Sequence, residues 1–401
     1  MGSVRPLAGL AALLATLGLV GCGSVGNSES ESSGGSDSGP VTVGLVIPQS
    51  GVYAPLGEDM KAAWDLYLSE HGNKLGGREV KTQVVDEGET PDTGVPVVQK
   101  LLQDQNVDVL VGIVNSATAL GAADAVGQAK KPLVVANAGA NAITAANDFI
   151  WRTSFTNGQV GYATGQYAAG LPEAKKGAYV IAADYAAGAE MSAGMIAGFK
   201  DGGGKIVGEA KTPFGTTQDF QPYLGRIRKS GAGLTLAFYA GAEAVSFVKQ
   251  YAEFGLKDAT PLFGTGFLTE GGVLTAQGKS ATGVRSGLAY ASGLDNPANK
   301  AFSEAYTGAT DRPPTVYAVQ TWDAALVLDK AIEQAGSADG EALTKALEGL
   351  GEIADSPRGT WSFEDRSPKQ VFYGREVAAE GGAVVNKVDK DLGEFSPSDG
   401  N

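Results

Sequence analysis

Asn115 and Ser116 stand directly before a stretch of helical periodicity that opens near Ala117, and Asn137, Ala138 and Gly139 follow a short apolar run. Backbone amides at the head of a helix carry partial positive charge, and small residues let a ligand approach the main chain. The chemistry open to this set is to cradle a carboxylate. Asn and Ser are also favoured helix N-caps, so an ordinary local role is open to them as well. Tyr53, Tyr185 and Phe267 offer ring faces for stacking, the usual walls of a small-molecule pocket. Glu243 offers a carboxylate in a first helical turn, where the helix dipole favours it.

Enzyme chemistry is poorly supplied. The chain has one cysteine, Cys22, and one histidine, His71. It can form no internal disulfide, and His/Cys metal sites need three or four such ligands. A Ser-His-Asp triad would need His71, which lies in a polar Ser-Glu-His-Gly stretch far from any elbow-like serine. Gly278-Lys279-Ser280 lacks the earlier glycine of a phosphate loop, because Val273 stands there. Gly264-Thr265-Gly266 meets Thr269 where a dinucleotide fingerprint needs its third glycine. Ser246 and Lys249 have the spacing of a serine-lysine acylase, but they sit inside an apolar-periodic helix and the companion motifs are missing. No metal, cofactor or enzymatic activity is expected, although carboxylate or lysine chemistry stays open. A net charge of −14 argues against nucleic-acid partners.

The elements that must position these residues begin late. Arg5 is followed by an apolar run over 7–20 and then by Leu19-Val20-Gly21-Cys22. The run is shorter than the ~20 residues of a membrane span and reads as a secretory signal peptide over 1–21. The lone cysteine after small residues resembles a bacterial lipobox, with Cys22 as the lipidated residue. Residues 22–40 are nearly devoid of apolar side chains and read as a disordered tether. An exported protein held at the outer face of a membrane is expected.

From Val41 the chain alternates short apolar runs (41–47, 80–85, 107–114, 132–136) with helical periodicity (58–70, 95–102, 117–128). The pattern restarts near Gly158, with strands at 178–182, 205–209, 234–238 and 261–263 between helices. Repeated βα order predicts an α/β fold of two doubly wound parallel sheets. Long helices over 315–334 and 341–349 and hairpin material over 359–388 complete the folded part. Ligands in such sheets lie beyond the carboxyl ends of strands. That rule selects the loops holding Tyr53, Asn115–Ser116, Asn137–Gly139, Tyr185, Tyr239–Glu243 and Gly264–Phe267.

Several segments then match a known family in order. Val43 to Gly51 with Leu56-Gly57-Glu58, Leu75-Gly76-Gly77-Arg78, Asn115-Ser116, Asp184-Tyr185-Ala186-Ala187-Gly188, Gly241-Ala242-Glu243 and Tyr317 to Ala325 resemble the type I periplasmic binding proteins of branched-chain amino-acid transporters. The resemblance implies two lobes joined by a three-crossover hinge, with lobe one at 41–155 plus 269–349, lobe two at 156–268 plus 350–390, and a tail at 391–401. It implies a small ligand held in the cleft by hinge closure and handed to the permease subunits of an ABC importer. It also implies that Glu243 faces a ligand ammonium, which would favour a branched-chain or hydrophobic amino acid. An aromatic or aliphatic carboxylate, an amide, or a sensing role beside a membrane receptor are the alternatives. Gly139 departs from the pattern, standing where many relatives carry a hydroxyl residue.

Overall fold

The computed structural model describes residues 39–401. Cys22, the expected signal peptide and the tether up to residue 38 lie outside the described residues.

Strand β1 (Val41–Ile47) is buried almost end to end, so both faces of its sheet are covered and no polar alternation is needed. It is followed by α1 (Ala54–Glu70), the short β2 (Lys74–Leu75), β3 (Arg78–Asp86), α2 (Pro91–Gln103), β4 (Val109–Gly112), α3 (Ser116–Ala129), β5 (Leu133–Val135) and β6 (Ile150–Arg152). These strands form one sheet of order β2-β3-β1-β4-β5-β6, parallel except for the β2–β3 hairpin. The first-lobe positions selected above as ligand candidates, Tyr53, Asn115, Ser116 and Asn137 to Gly139, all follow its carboxyl edge.

The second sheet is built from α4 (Asn157–Ala169), β7 (Ala178–Asp184), α5 (Ala186–Asp201), β8 (Ile206–Pro213), α6 (Gln221–Ser230), β9 (Leu234–Phe238), α7 (Gly241–Glu253), β10 (Leu262–Thr265), α8 (Gly272–Gln277) and β11 (Arg285–Leu288). The chain then contributes α9 (Pro297–Thr310), α10 (Val316–Ala335) and α11 (Gly340–Glu348), and ends in β12 (Glu352–Ile353), β13 (Trp361–Glu364), β14 (Ser367–Glu380) and β15 (Ala383–Phe395). The strand order is β12-β13-β14-β11-β10-β9-β7-β8, with β15 on β14. Strands β7 to β11 pair in parallel, whereas β12 to β15 pair antiparallel, so this sheet is mixed. The fold is α/β with two lobes.

Two expected boundaries need correction. The return to the first lobe was expected at 269, yet β11 pairs with β10 and β14 in the second sheet, so the return follows Leu288. The return is marked by α9, whose Phe302 ring lies 4.9 Å from Trp322 of α10. Residues 391–401 are no loose tail either. Strand β15 runs to Phe395, which is buried, and Thr156 Oγ1 donates to the Pro397 carbonyl at 2.8 Å.

Buried polar ties cross the hinge. Arg358 Nε pairs with Asp323 of α10 at 2.8 Å with both side chains out of solvent, and its guanidinium lies over Trp361. Arg375 of β14 pairs with Glu270 at 2.8 Å, and Glu270 Oε1 accepts the Val316 amide at the head of α10. Such pairs serve geometry more than net stability, since desolvation offsets most of the attraction. Among the described residues no helix is long and apolar enough to cross a membrane.

Candidate functional site

The carboxyl edge of the first sheet turns sharply after β4. Ile113, fully buried, is held at φ +63°, a conformation β-branched residues avoid and which costs on the order of 1–3 kcal/mol. A buried carboxylate holds the loop that follows. Glu87, one residue beyond β3, accepts the Val114 amide at 2.8 Å and the Asn115 amide at 2.7 Å. Burial pushes its carboxyl up to about 7, although the two amides pull the other way.

Asn115 is the N-cap of α3. Its Oδ1 accepts the amides of Ala117 and Thr118, and its Nδ2 donates to the Glu89 carbonyl at 2.9 Å. The capping role thus occupies its side chain, and Glu87 its amide. Ser116 Oγ accepts the Ala140 amide at 3.1 Å, which ties the loop after β4 to the loop after β5 and leaves the hydroxyl proton to donate. In the second of these loops Asn137 Nδ2 reaches Gln320 Oε1 at 3.4 Å, while the buried Gln320 Nε2 has no partner among the described residues. Ala138 is buried, and its amide donates to the Ile113 carbonyl. At Gly139 a Cβ would lie 2.3 Å from the Phe155 ring, so the aromatic ring excludes any larger residue there.

On the second lobe, Tyr185 precedes α5 and stacks on Phe214 at 4.1 Å and 20°, with Phe238 behind at 6.1 Å and 22°. Glu243 lies in the first turn of α7. Its Oε1 accepts the Gly215 amide at 2.9 Å, and the Thr217 amide also reaches it. Burial raises its carboxyl above the usual range against the pull of those amides.

The two edges meet. Gly241, with φ +56°, starts α7 so close to the first lobe that a Cβ there would lie 4.0 Å from the Val52 carbonyl. Tyr53, next in the chain, has its hydroxyl pushed up to about 12 by burial first, and then by the charges of Glu243, Glu87 and Glu89. Tyr53 in turn acts on the hydroxyls of Tyr185 and Tyr317. Tyr317 stacks on Phe267 at 6.3 Å, and Phe267 lies 4.9 Å from Phe155. Tyr53 and Tyr185 thus come near each other from opposite lobes, and Phe155, Phe267 and Tyr317 form a buried ring group nearby. One bond ties the lobes: Glu190 of α5, which accepts Asn157 Nδ2 of its own lobe at 2.7 Å, also accepts the Asn141 amide of the first lobe at 3.3 Å.

The structure thus brings together Tyr53, Tyr185 and Glu243 across the lobes, and Asn115, Ser116, Asn137, Ala138 and Gly139 along one edge. Phe267 is buried behind Tyr317. Sequence reasoning missed Glu87, Phe155, Phe214 and Tyr317. Glu87 was within reach, because the strand-end rule applied to β3 selects it. Phe155 sits in a Thr-Ser-Phe-Thr stretch with no periodicity to mark it. Among the described residues no cluster of His, Cys, Asp or Glu could hold a metal ion.

A family model described as periplasmic binding protein matches residues 40–383. The chain is 33% identical over 356 residues to the Leu/Ile/Val-binding protein homolog 6 of Brucella melitensis, covering 86% of this chain and 90% of that one. Among solved structures, it is similar to an ABC-transporter solute-binding protein of R. palustris in complex with benzoate, at 37% identity and TM-score 0.79, covering 89% of this chain and 97% of that one. A second R. palustris solute-binding protein, in complex with 4-hydroxybenzoate, is 31% identical with TM-score 0.82 and covers 90% and 98%.

Proposed function

The chain belongs to the periplasmic binding protein family, and from that premise we propose that it is the solute-binding protein of an ABC importer that captures a small aromatic carboxylate between its lobes. The observation that carries the ligand class is the gathering of rings at the facing edges: Tyr185 stacked on Phe214, Tyr53 near it from the other lobe, and the group of Tyr317, Phe267 and Phe155. Phe155 fills the space that a side chain at residue 139 would need, so an aromatic wall replaces a hydroxyl contact. A flat ring between Tyr53 and Tyr185 gains stacking and burial together. Its carboxylate takes the Ser116 hydroxyl and the main-chain amides of Asn137 and Gly139 at the edge of the first sheet, near the head of α3, the Ala138 amide being held by the Ile113 carbonyl. Benzoate-type ligands in the complexes of similar proteins support this reading.

A second reading is favoured by Glu243. Its charge reaches Tyr53 in the cleft, and a carboxylate there suits the ammonium of a branched-chain amino acid, as the relatives' names suggest. Cys22 is the proposed lipid-attachment residue, tying the protein to the outer face of a membrane beside its permease partners. In this role the protein moves ligand without transforming it.

A thermal-shift screen with benzoate, 4-hydroxybenzoate and leucine tests both readings. A ligand at 100 times its dissociation constant stabilises the native state by about 2.7 kcal/mol. Stabilisation by the benzoates that survives Glu243→Gln supports the first reading. Stabilisation by leucine alone, lost in Glu243→Gln, replaces it with the second.

A further inference from the structure

The hinge borders an open pocket of about 300 Å³ whose lining includes none of the rings of the cleft. It lies between the loop after β5, the end of β6, the β13–β14 turn and the C-terminal segment, and two guanidinium groups line it. Arg152 is fully buried. Its Nη1 donates to the carbonyls of Ala140 and Phe155 and its Nε to Ser367 Oγ, all neutral acceptors, while Nη2 has no partner among the described residues. The acidic group that acts on it is Glu190, through space rather than by contact. Burial pulls the guanidinium below the usual arginine range.

Arg366 stands beside it. The Arg152 amide donates to the Arg366 carbonyl at 2.9 Å, and the two side chains flank one polar pair, Ser367 Oγ and Thr144 Oγ1, which lie 3.3 Å apart. Arg366 Nη2 donates to the Thr144 carbonyl at 2.7 Å and Nη1 meets the exposed Asp148 at 3.3 Å, but its buried Nε has no partner among the described residues. The other charged side chain of the lining is Asp365; the exposed Ser398 and Asn401 border the pocket from the C-terminal side.

A buried guanidinium without a counter-charge is costly, and an unpaired buried donor costs a further amount. Two forks with unused N–H groups around hydroxyls form the donor set that recognises oxyanions. Water takes about 30 Å³ per molecule in the liquid, so a pocket of this size holds a small oxyanion with part of its hydration. We propose that this hinge pocket is a second binding site, for a small oxyanion of the phosphate, sulfate or carboxylate type, gripped between Arg152 and Arg366. The bound anion joins the loop after β5 to the β13–β14 turn and so to both lobes, at the place where closure bends the chain.

The test is calorimetric and thermal-shift titration of the protein with inorganic phosphate, sulfate and acetate, each against chloride at matched ionic strength. At least one oxyanion should stabilise the protein beyond chloride, and the response should persist in Tyr185→Ala, which weakens the cleft. Arg366→Gln should weaken that anion by at least about tenfold, the worth of one hydrogen bond to a charged group. Ser398→Asp, which puts a negative charge in the lining and leaves both arginines in place, should do the same if Arg366→Gln fails to fold. A response to acetate alone that follows this pattern assigns the site to carboxylates. No response beyond chloride, a response unchanged in both hinge variants, or one lost in Tyr185→Ala overturns the proposal.

Discussion

Glu87 Oε1 accepts the Asn115 amide at 2.7 Å, so the residue that caps α3 is fixed by a buried carboxylate one residue beyond β3. The same carboxylate holds Val114, next to the strained Ile113. Glu87→Ala leaves two part-buried amides without acceptors, at up to about 1–3 kcal/mol each. Unfolding midpoints in urea should fall accordingly. Ligand affinity should fall with them, because the loop carrying Ser116 loses its anchor.

Glu87 also sets a pH dependence. Its carboxyl is raised from 4.5 to about 7 in the folded state, so the folded protein favours the protonated form. The stability this group contributes is complete below about pH 4.5 and is lost as pH rises to about 7, a change of at most about 3 kcal/mol. Urea midpoints across that window should decline in the wild type, and Glu87→Gln should remove this part of the decline. An identical slope in both proteins would contradict the assignment.

Much of this framework can be read from the sequence, for a physical reason. β1 and β4 are covered on both faces, so their apolar runs stand out. The misses share a reason as well. β11 is Arg-Ser-Gly-Leu, too short and too mixed to show a period, and overlooking it put the lobe boundary too early. α9 buries only Asn299, Phe302 and Tyr306, so its stripe is too narrow to detect. In the candidate site, the strand-end rule selects Tyr53, Asn115 and Tyr185, and the structure places Tyr53 and Tyr185 near each other. The sequence marks Asn115 as a cap but cannot show that the rest of its side chain is used too, because Nδ2 donates to the Glu89 carbonyl, brought near only by the fold.

The Asp323–Arg358 pair predicts a strong asymmetry between single and double replacement. Both groups are fully buried, and burial raises the Asp323 carboxyl to about 6 against the pull of Arg358. Asp323→Ala leaves a buried cation and should cost about 3–5 kcal/mol. Asp323→Leu combined with Arg358→Met removes both charges and should cost less than half as much, measured by urea unfolding.

Tyr185 stacks on Phe214 at the rim of the cleft, where Phe214 is itself largely exposed. Tyr185→Ala should therefore leave the melting temperature of the free protein within a few degrees of wild type. Ligand affinity should drop by about tenfold or more, from lost stacking and lost burial together. A large loss of stability with unchanged affinity would place Tyr185 in the core and not in the site.

Glu190 accepts from Asn157 of its own lobe and from the Asn141 amide of the first lobe, so the second bond ties the lobes together. Glu190→Ala should shift the population toward open lobes and weaken ligand several-fold without touching the rings. Small-angle scattering should show that the variant needs a higher ligand concentration than wild type to contract.

The central claim is that an aromatic carboxylate closes the two lobes on itself, and calorimetry paired with small-angle scattering tests it most directly. Titration with 4-hydroxybenzoate should show one site per chain and contraction of the particle, with leucine giving neither. Binding and contraction with leucine, and none with benzoate or 4-hydroxybenzoate, would contradict it.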